Sequence, residues 1–186
     1  MPFTATSLPG VMIFEPAVYP DERGFFFESY NQRLFRTNQI LNDFVQDNQS
    51  YSVYGVIRGL HYQREPHAQA KLVRVLQGKI LDVVVDIRTG SPGFGKSYSV
   101  ELSSENKKQI FIPKGFAHGF SVLSETAEIS YKCDQFYNKQ SEAGIVYNDP
   151  KLNIDWGIPA EKALISSKDL LLPRFDLTST EFSFNA

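Results

Sequence analysis

Short apolar segments separated by turn sequences dominate the middle of the chain. Between residues 51 and 147, segments rich in Val, Ile, Tyr and Phe recur at a spacing typical of a β-sandwich or barrel. They are separated by turn signals such as QGK at Gln77 to Lys79, TGSPG at Thr89 to Gly93 and PKG at Pro113 to Gly115. Helical spacing is found at Asn31 to Ile40, and a brief helix is indicated at Pro159 to Ala163. We therefore predict one all-β domain over residues 1–186 with a few short peripheral helices.

Strict alternation within two of these segments predicts which side chains face inward. In AEISYKCD, from Ala127 to Asp134, Tyr131 shares the apolar face of the strand, because successive side chains point to opposite faces. In KLVRVL the same rule puts Lys71 beside Val73 and Val75. An ammonium group on an apolar face requires a cavity to receive it. The pattern therefore predicts a cavity with Lys71 and Tyr131 in its wall.

The segment VIRGLHYQ, from Val56 to Gln63, interrupts an apolar strand with a cation and a titratable ring. Arg58 and His61 differ in parity, so a regular strand would send them to opposite faces. Gly59 lies between them, and glycine inside a strand often marks a bulge. We predict that a bulge at Gly59 turns both side chains inward.

Composition narrows the function and the compartment. The formal net charge of −2 provides no basic excess for a general nucleic-acid binder. The single cysteine, Cys133, can form neither an internal disulfide nor a multi-thiolate metal site, and it suits a reducing compartment. The N-terminal residues lack the pattern of a signal peptide, and apolar runs such as Leu81 to Asp86 are too short to cross a membrane. These features predict a cytoplasmic protein that binds neither nucleic acid nor membrane.

The histidines indicate a barrel fold but an incomplete metal site. IPKGFAHGF, from Ile112 to Phe120, resembles the second conserved motif of the cupin superfamily, whose histidine, here His118, is a metal ligand in metal-binding members. The earlier strand offers His61, Tyr62 and Gln63, so the second histidine of the usual H-x-H pair is missing. The resemblance implies a cupin-type jelly-roll barrel. We expect no metal and no cofactor.

A series of motifs in fixed order resembles the dTDP-4-dehydrorhamnose 3,5-epimerase family. These motifs run from about Ser7 to Phe175, nearly the whole chain. They are DERGFFFE (Asp21 to Glu28), QDN (Gln46 to Asn48), RGLHYQ (Arg58 to Gln63), AQAKLVR (Ala68 to Arg74), PKGFAHGF (Pro113 to Phe120), YKC (Tyr131 to Cys133) and SKD (Ser167 to Asp169). One departure is Phe136, where the family pattern leads us to expect a second tyrosine.

The resemblance implies inversion at C3, C5 or both carbons of a dTDP-4-keto-6-deoxyhexose. Removing a proton alpha to a ketone requires a base, a group that stabilises the enolate, and an acid on the other side of the ring. The family assigns the base to His61, oriented by Asp169. Lys71 would counter the C4 oxyanion, with a hydrogen bond from His118. Tyr131 would protonate the carbanion from the opposite face.

Substrate binding and assembly are also implied by the resemblance. The segment from Arg23 to Glu28 reaches across a dimer interface in this family, so we expect a homodimer with shared sites. Cations would bind the diphosphate, polar groups the base and sugar, and aromatic rings would stack on thymine. The candidate binding residues are Arg23, Phe26, Glu28, Gln46, Asp47, Asn48, Arg58, His118, Tyr137, Glu142 and Lys168.

Other functions remain open from sequence alone. A metal-dependent cupin isomerase or oxygenase would use His61, His67 and His118. A dTDP-keto-sugar 3,4-ketoisomerase would also shuttle protons but would move the carbonyl, and a catalytically silent carbohydrate-binding module would need neither base nor acid. Individual residues also have structural explanations: Asp169 follows a serine pair where a helix cap is the default, and Lys71 could extend to solvent from a strand end.

Overall fold

The computed structural model describes residues 2–175 and 181–184, and its elements are mostly β-strands. The strands are β1 (Phe3–Ala5), β2 (Met12–Phe14), β3 (Val18–Asp21), β4 (Gly24–Phe27), β5 (Gln46–Val53), β6 (Val56–Gln63), β7 (Lys71–Gln77), β8 (Lys79–Asp86), β9 (Ser97–Ser103), β10 (Gln109–Ile112), β11 (Phe116–Val122), β12 (Thr126–Cys133), β13 (Glu142–Gly144) and β14 (Leu164–Ile165). The helices are α1 (Gln32–Thr37) and α2 (Ser167–Leu170), with 3-10 turns at Lys139–Ser141 and Ala160–Lys162. The predicted all-β class is confirmed.

Two antiparallel sheets form the body. The first has the strand order β1-β2-β10-β7-β12-β5, and the second has the order β13-β6-β11-β8-β9, with β14 added in parallel to β6. Strands β3 and β4 form a separate two-stranded hairpin, called the arm below. The crossing between sheets places sequence-adjacent strands such as β7 and β8 on opposite walls, so residues distant in sequence meet in the interior.

Period-two alternation explains where the core lies. In β7, Val73 faces a cluster shared by both sheets that also contains Ile80, Ile110 and Ile129, whereas Leu72 faces outward to a second cluster built around α1. A third cluster covers the other side of the second sheet with residues from the C-terminal segment, including Trp156 and Phe175. Because the interior is apolar except where cavity residues interrupt it, charged side chains facing inward stand out. Lys71 is one of them, as predicted.

The bulge predicted at Gly59 is confirmed. In the pairing of β6 with β11, His61 opposes His118 and Arg58 opposes Phe120, so the β6 segment contains one residue more than its partner. Gly59 has a φ of +118°, and a Cβ built there would lie 2.6 Å from the Cα of Gly119. Only glycine fits this close approach of two backbones. The extra residue brings Arg58 and His61 to the same cavity despite their different parity.

The predicted helices are shorter than the pattern indicated. The first spans Gln32–Thr37, with the Asn31 side chain accepting a hydrogen bond from the backbone of Leu34 as N-cap. It ends before Gln39, whose positive φ of 64° is incompatible with a continuing helix. The brief helix predicted at Pro159 to Ala163 is a 3-10 turn. None of the described helices has the length and apolar character needed to cross a bilayer.

Candidate active site

A cavity of about 700 Å³ lies between the two sheets. Strands from both sheets and helix α2 contribute to its wall. A smaller cavity of about 290 Å³ adjoins it, and His61, Lys71 and Tyr131 line both. Three of the residues predicted to carry the chemistry therefore lie where two cavities meet.

His61 and Asp169 form a hydrogen-bonded pair in the cavity wall. His61 Nε2 lies 2.8 Å from Asp169 Oδ1, and the aspartate side chain is only 6% exposed. Burial lowers the pKa of His61, while the negative charge of Asp169 and its hydrogen bond act to raise it. The ring is thus neutral at neutral pH and can accept a proton, and a carboxylate stands ready to stabilise the imidazolium.

Helix α2 positions Asp169. Ser166 is the N-cap of this helix, and its Oγ accepts a hydrogen bond from the backbone N–H of Asp169 at 3.0 Å. The second carboxylate oxygen of Asp169 lies 3.4 Å from the backbone N–H of Gly59, at the bulge. The cap expected from the serine-rich sequence is therefore present, but it is supplied by Ser166 and leaves the Asp169 side chain directed to His61.

Lys71 and Tyr131 occupy the opposite wall. Strands β7 and β12 are neighbours in the first sheet, and Tyr131 pairs with Val73. Burial lowers the pKa of Lys71, whereas charge attraction from Cys133, Asp82 and Glu142 acts to raise it. Burial raises the pKa of Tyr131, so its phenol holds its proton at neutral pH. A proton acceptor and a proton donor thus stand on different sheets and share one void.

His118 is hydrogen-bonded to a carboxylate that the sequence reading did not select. His118 Nε2 lies 2.9 Å from Asp82 Oδ2, and both side chains are buried. His118 lines the large cavity, but His67 lines neither cavity, and its carbonyl accepts a hydrogen bond from Gln63. The three histidines are therefore not assembled. Within residues 2–175 and 181–184, no group of three or more His, Cys, Asp or Glu side chains is placed to hold a metal ion.

Polar residues at the rim form a connected chain. Lys168 Nζ lies 2.7 Å from Glu142 Oε2, which also accepts a hydrogen bond from the Tyr137 hydroxyl at 3.0 Å. The Lys168 ammonium lowers the pKa of Glu142, and Glu142 in turn raises the pKa of Lys168. Arg58 lines the large cavity and donates from Nε to Ser52 Oγ at 3.1 Å. The guanidinium group of Arg58 and the ammonium group of Lys168 are thus available to bind an anion.

Two glutamines hold the loop that carries Tyr137. Gln46 Oε1 accepts a hydrogen bond from the backbone N–H of Tyr137, and Gln46 Nε2 donates to Asn48 Oδ1. Gln63, buried in the smaller cavity wall, accepts from the backbone of Asn138 at 2.7 Å and donates to the carbonyl of Phe136. Gln46 and Asn48 line the smaller cavity, as expected for substrate-binding residues. Gln63 was not predicted.

Four predicted binding residues lie outside both cavities of their own chain. Arg23, Phe26 and Glu28 lie on or next to the arm, where Arg23 pairs with Asp21 and Phe26 is 69% exposed. Asp47 lies between Gln46 and Asn48 in β5, so alternation sends it to the outer face of the sheet, where Lys132 Nζ binds it at 2.9 Å. Asp47 as a substrate contact thus stays a prediction, with its side chain outside both cavities of its own chain.

Sequence reasoning missed three functional residues, of which one was indicated by the local alternation pattern and two were not. Asp82 shares the inward face of β8 with Ile80 and Val84, so alternation in LDVVVD carried the signal. Ser52 and Gln63 act through hydrogen bonds to partners elsewhere in the chain, and no local pattern marks them.

Comparison with known proteins identifies the family. The model of the dTDP-4-dehydrorhamnose 3,5-epimerase family matches residues 5–176. The chain belongs to this family. A dTDP-4-dehydrorhamnose 3,5-epimerase of Shigella flexneri is 55% identical over 166 residues, covering 89% of this chain and 91% of that protein.

Solved structures agree with the family assignment. The epimerase of Elizabethkingia anophelis superposes with a TM-score of 0.90 at 55% identity, covering 93% of this chain and 95% of that one. A Legionella pneumophila epimerase, solved in complex with dTDP-4-keto-L-rhamnose, has a TM-score of 0.87 at 48% identity, covering 94% and 98%. The predicted cupin-type jelly roll and the class of sugar-nucleotide epimerase are both confirmed.

Proposed function

We propose that this protein inverts both C3 and C5 of a dTDP-4-keto-6-deoxyhexose. The observation that carries the proposal is the opposed pair in one cavity: His61 on one sheet, bound to Asp169 of α2, and Tyr131 on the other sheet, with Lys71 on the strand next to that of Tyr131. The relatives support the substrate, since they are described as 3,5-epimerases and one was solved with dTDP-4-keto-L-rhamnose.

His61 is the base in this proposal. Protons at C3 and C5 lie alpha to the C4 ketone, so their removal forms an enolate rather than a free carbanion. The neutral ring that results from the lowered pKa of His61 takes the proton, and Asp169 stabilises the imidazolium that forms. The acceptor is regenerated when the ring returns its proton to solvent.

Lys71 and His118 stabilise the enolate oxygen. Negative charge develops on the oxygen at C4 as the proton leaves, and preorganised donors aimed at such an oxygen are the largest single contribution in many enzymes. Lys71 is placed to stabilise this oxygen from the first sheet, where burial lowers its pKa and the carboxylates of Asp82 and Glu142 act to raise it. His118 lines the same cavity from the facing sheet and would donate to this oxygen from Nδ1 when both of its ring nitrogens carry a proton.

Tyr131 returns a proton to the opposite face of the sugar. Its raised pKa keeps the phenol protonated until a strongly basic carbon is presented to it. Because Tyr131 and His61 stand on different sheets, abstraction and reprotonation take place on opposite faces, which is what inversion requires.

The rim binds the nucleotide. Arg58 and Lys168 face the large cavity and are suited to the diphosphate. Gln46, Asn48, Tyr137 and Glu142 line the adjoining cavity and are suited to the nucleoside, with the Tyr137 ring stacking on thymine. Lys168, which binds Glu142 at the rim, would exchange part of that interaction for the phosphate oxygens.

We further propose a homodimer in which each arm completes the partner's site. Arg23, Phe26 and Glu28 line neither cavity of their own chain, yet the family resemblance implies that these positions bind the nucleotide. The arm also exposes large apolar side chains, among them Tyr19 at 62% and Phe25 at 57%. Exposed apolar clusters of this kind mark interaction surfaces. A second copy would bury them and deliver a cation and an aromatic ring to the substrate.

We place the protein in the cytoplasm as one domain. The lone Cys133 is buried and unpaired by disulfide, which suits a reducing compartment. The inner cluster receives residues from both sheets, which supports a single folding unit.

Proton exchange with solvent tests the function. The protein is incubated with dTDP-4-keto-6-deoxyglucose in deuterated water, and deuterium at C3 and C5 is followed by NMR. We expect incorporation at both carbons, none with His61→Ala, and normal incorporation with the control His67→Ala. Tyr131→Phe should still allow exchange while blocking inversion.

The same spectra separate the competing reactions. Normal exchange by His61→Ala would show that the base is misassigned. A product whose carbonyl has moved from C4 to C3 would identify a 3,4-ketoisomerase, and loss of exchange on chelation or with His67→Ala would indicate metal-dependent chemistry. Deuterium at C3 alone would restrict the proposal to one carbon.

A further inference from the structure

Asp82 is a fully buried carboxylate directly behind the candidate site. It shares the inward face of β8 with Ile80 and Val84, two residues of the apolar inner cluster. Its Oδ2 lies 2.9 Å from Nε2 of His118. Its other oxygen, Oδ1, is buried and accepts no hydrogen bond from any residue that the structure describes. A carboxylate in such a position is costly unless positive charge compensates it.

We infer that Asp82 is a positioning residue for the enolate-binding groups: it orients the His118 ring through their hydrogen bond and places a buried negative charge near Lys71 in the apolar cavity. The inference deepens the proposed epimerase function and rests on it. Asp82 touches no substrate in this assignment, because it does not line either cavity. It acts through two residues that do.

The first part of the argument concerns the ring of His118. An ionised carboxylate only accepts hydrogen bonds, so a 2.9 Å contact requires a proton on Nε2. The remaining ring nitrogen, Nδ1, is then the one left to interact with a bound ligand. The His61–Asp169 pair follows the same rule on the neighbouring strand, so the cavity contains two histidines, each oriented by its own buried carboxylate. Each ring therefore keeps its own orientation, so that the two histidines can serve different roles in the reaction.

The second part concerns charge. The charged and titratable groups around Lys71 come from every element packed against it: His61 on β6, Asp82 on β8, His118 on β11, Tyr131 and Cys133 on β12, and Glu142 on β13. Asp82 and Glu142 are the carboxylates among them that raise the pKa of Lys71, against its burial and the repulsion from His61. Glu142 also binds Lys168 at the rim, so its charge is shared. Asp82 is the buried one of the two.

A purely structural explanation does not account for the unpartnered oxygen. If Asp82 served only to satisfy the buried ring of His118, a neutral hydrogen-bonding residue would do so at lower desolvation cost. The inner cluster around it is built of aliphatic side chains such as Ile80, Val84 and Val122. Negative charge among them is explained by the cation that the cavity must hold.

The kinetic test uses Asp82→Asn, which keeps the shape and removes the charge. We expect the exchange rate at saturation to fall roughly 10- to 100-fold, less than the 100- to 1000-fold loss on deleting a whole oxyanion donor. KM should stay within about threefold of the wild-type value, because the substitution does not change the interactions that bind the substrate and the transition state equally. The alkaline loss of activity should begin at lower pH, because the pKa of Lys71 falls when Asp82 no longer attracts its proton.

Asp86→Asn is the matched control. Asp86 is equally buried on the same face of β8, but it binds Arg88 and lines neither cavity. The control should lose stability and keep the wild-type pH profile. If Asp82→Asn behaves like the control, with a lower melting temperature but an unchanged profile, the inference is overturned.

A second measurement needs neither substrate nor variant. The chain has only three histidines, so nitrogen-15 spectra of the imidazoles can be assigned readily. We expect a proton on Nε2 of His118 in the wild-type protein, because that nitrogen contacts the Asp82 carboxylate. A ring protonated on Nδ1 alone would refute the inference. Because this readout involves no turnover, it stands even if the protein exchanges no deuterium into the sugar and the proposed function fails.

Discussion

Replacing Asp169 by Asn isolates the contribution of the carboxylate behind the base. The substitution preserves size but removes the negative charge 2.8 Å from His61 Nε2. Asp169 is held in place by Ser166 and by the bulge at Gly59, so the amide should occupy the same space. What changes is the stabilisation of the imidazolium that forms when a proton is taken from the sugar.

The expected loss follows from the strength of this contact. A hydrogen bond between charged partners contributes about 1.5–3 kcal/mol when its geometry is good. At about 1.36 kcal/mol for each factor of ten, the rate at saturation should fall about 10- to 150-fold. The buried carboxylate, only 6% exposed, is little screened by solvent, which favours the upper part of this range.

The pH profile gives an independent test, because the direction in which its acidic limb shifts can be predicted. The base works only when neutral, so the rate rises with pH through the pKa of His61. Asp169 acts to raise that pKa, so removing its charge lets the pKa fall further, and the acidic limb of the profile moves to lower pH. Asp169→Asn should thus be slower at its plateau yet retain a larger share of that plateau in mild acid.

The assay is deuterium incorporation at C3 and C5 measured from pH 5 to 9 at saturating substrate, a range of about four units around the unperturbed pKa of histidine. Asp43→Asn is the control, because Asp43 is a surface carboxylate bound to Arg36 and lies outside both cavities. An unchanged plateau, or an acidic limb displaced to higher pH, would refute the role given to Asp169.

Two further predictions concern the arm and the smaller cavity. Coexpressing His61→Ala chains with Arg23→Ala chains should restore about a quarter of wild-type activity at low substrate, because each mixed dimer then contains one intact site. If the mixtures are no more active than either variant alone, the arm serves the site of its own chain. Gln63→Leu should raise KM roughly tenfold with little change in the saturated rate, since it frees the loop that presents Tyr137. KM is measured directly and checked by titration of dTDP binding. An unchanged KM would contradict the role given to the loop that presents Tyr137.

Local stereochemistry was enough to predict the inward-facing residues. Side chains alternate along every strand because of backbone geometry, so Tyr131 and Lys71 could be assigned to the interior without knowing which strands pair. A bulge could be predicted at Gly59 because Arg58 and His61 differ in parity, so that a regular strand could not direct both side chains inward. The inward positions of Lys71, Tyr131, Arg58 and His61 depend on contacts within a few residues, and the structure agrees with the prediction.

Contacts between distant residues could not be derived in this way. Asp169 lies 108 residues from His61 in sequence, and its pairing was implied by the family resemblance alone. The role of Asp82 was missed for the same reason: alternation shows that it faces inward, but its partner His118 is 36 residues away on a neighbouring strand.

Sequence by itself thus determined the strand pattern, the inward faces and the family, because each depends on residue types and their local spacing. Tertiary structure decided which side chains meet, that Asp47 turns away to Lys132, and that Arg23 lies outside the cavity of its own chain. The physical reason is that strand order and bulge register, set by packing of the whole core, bring the sheets together. No local pattern encodes the distance between two walls.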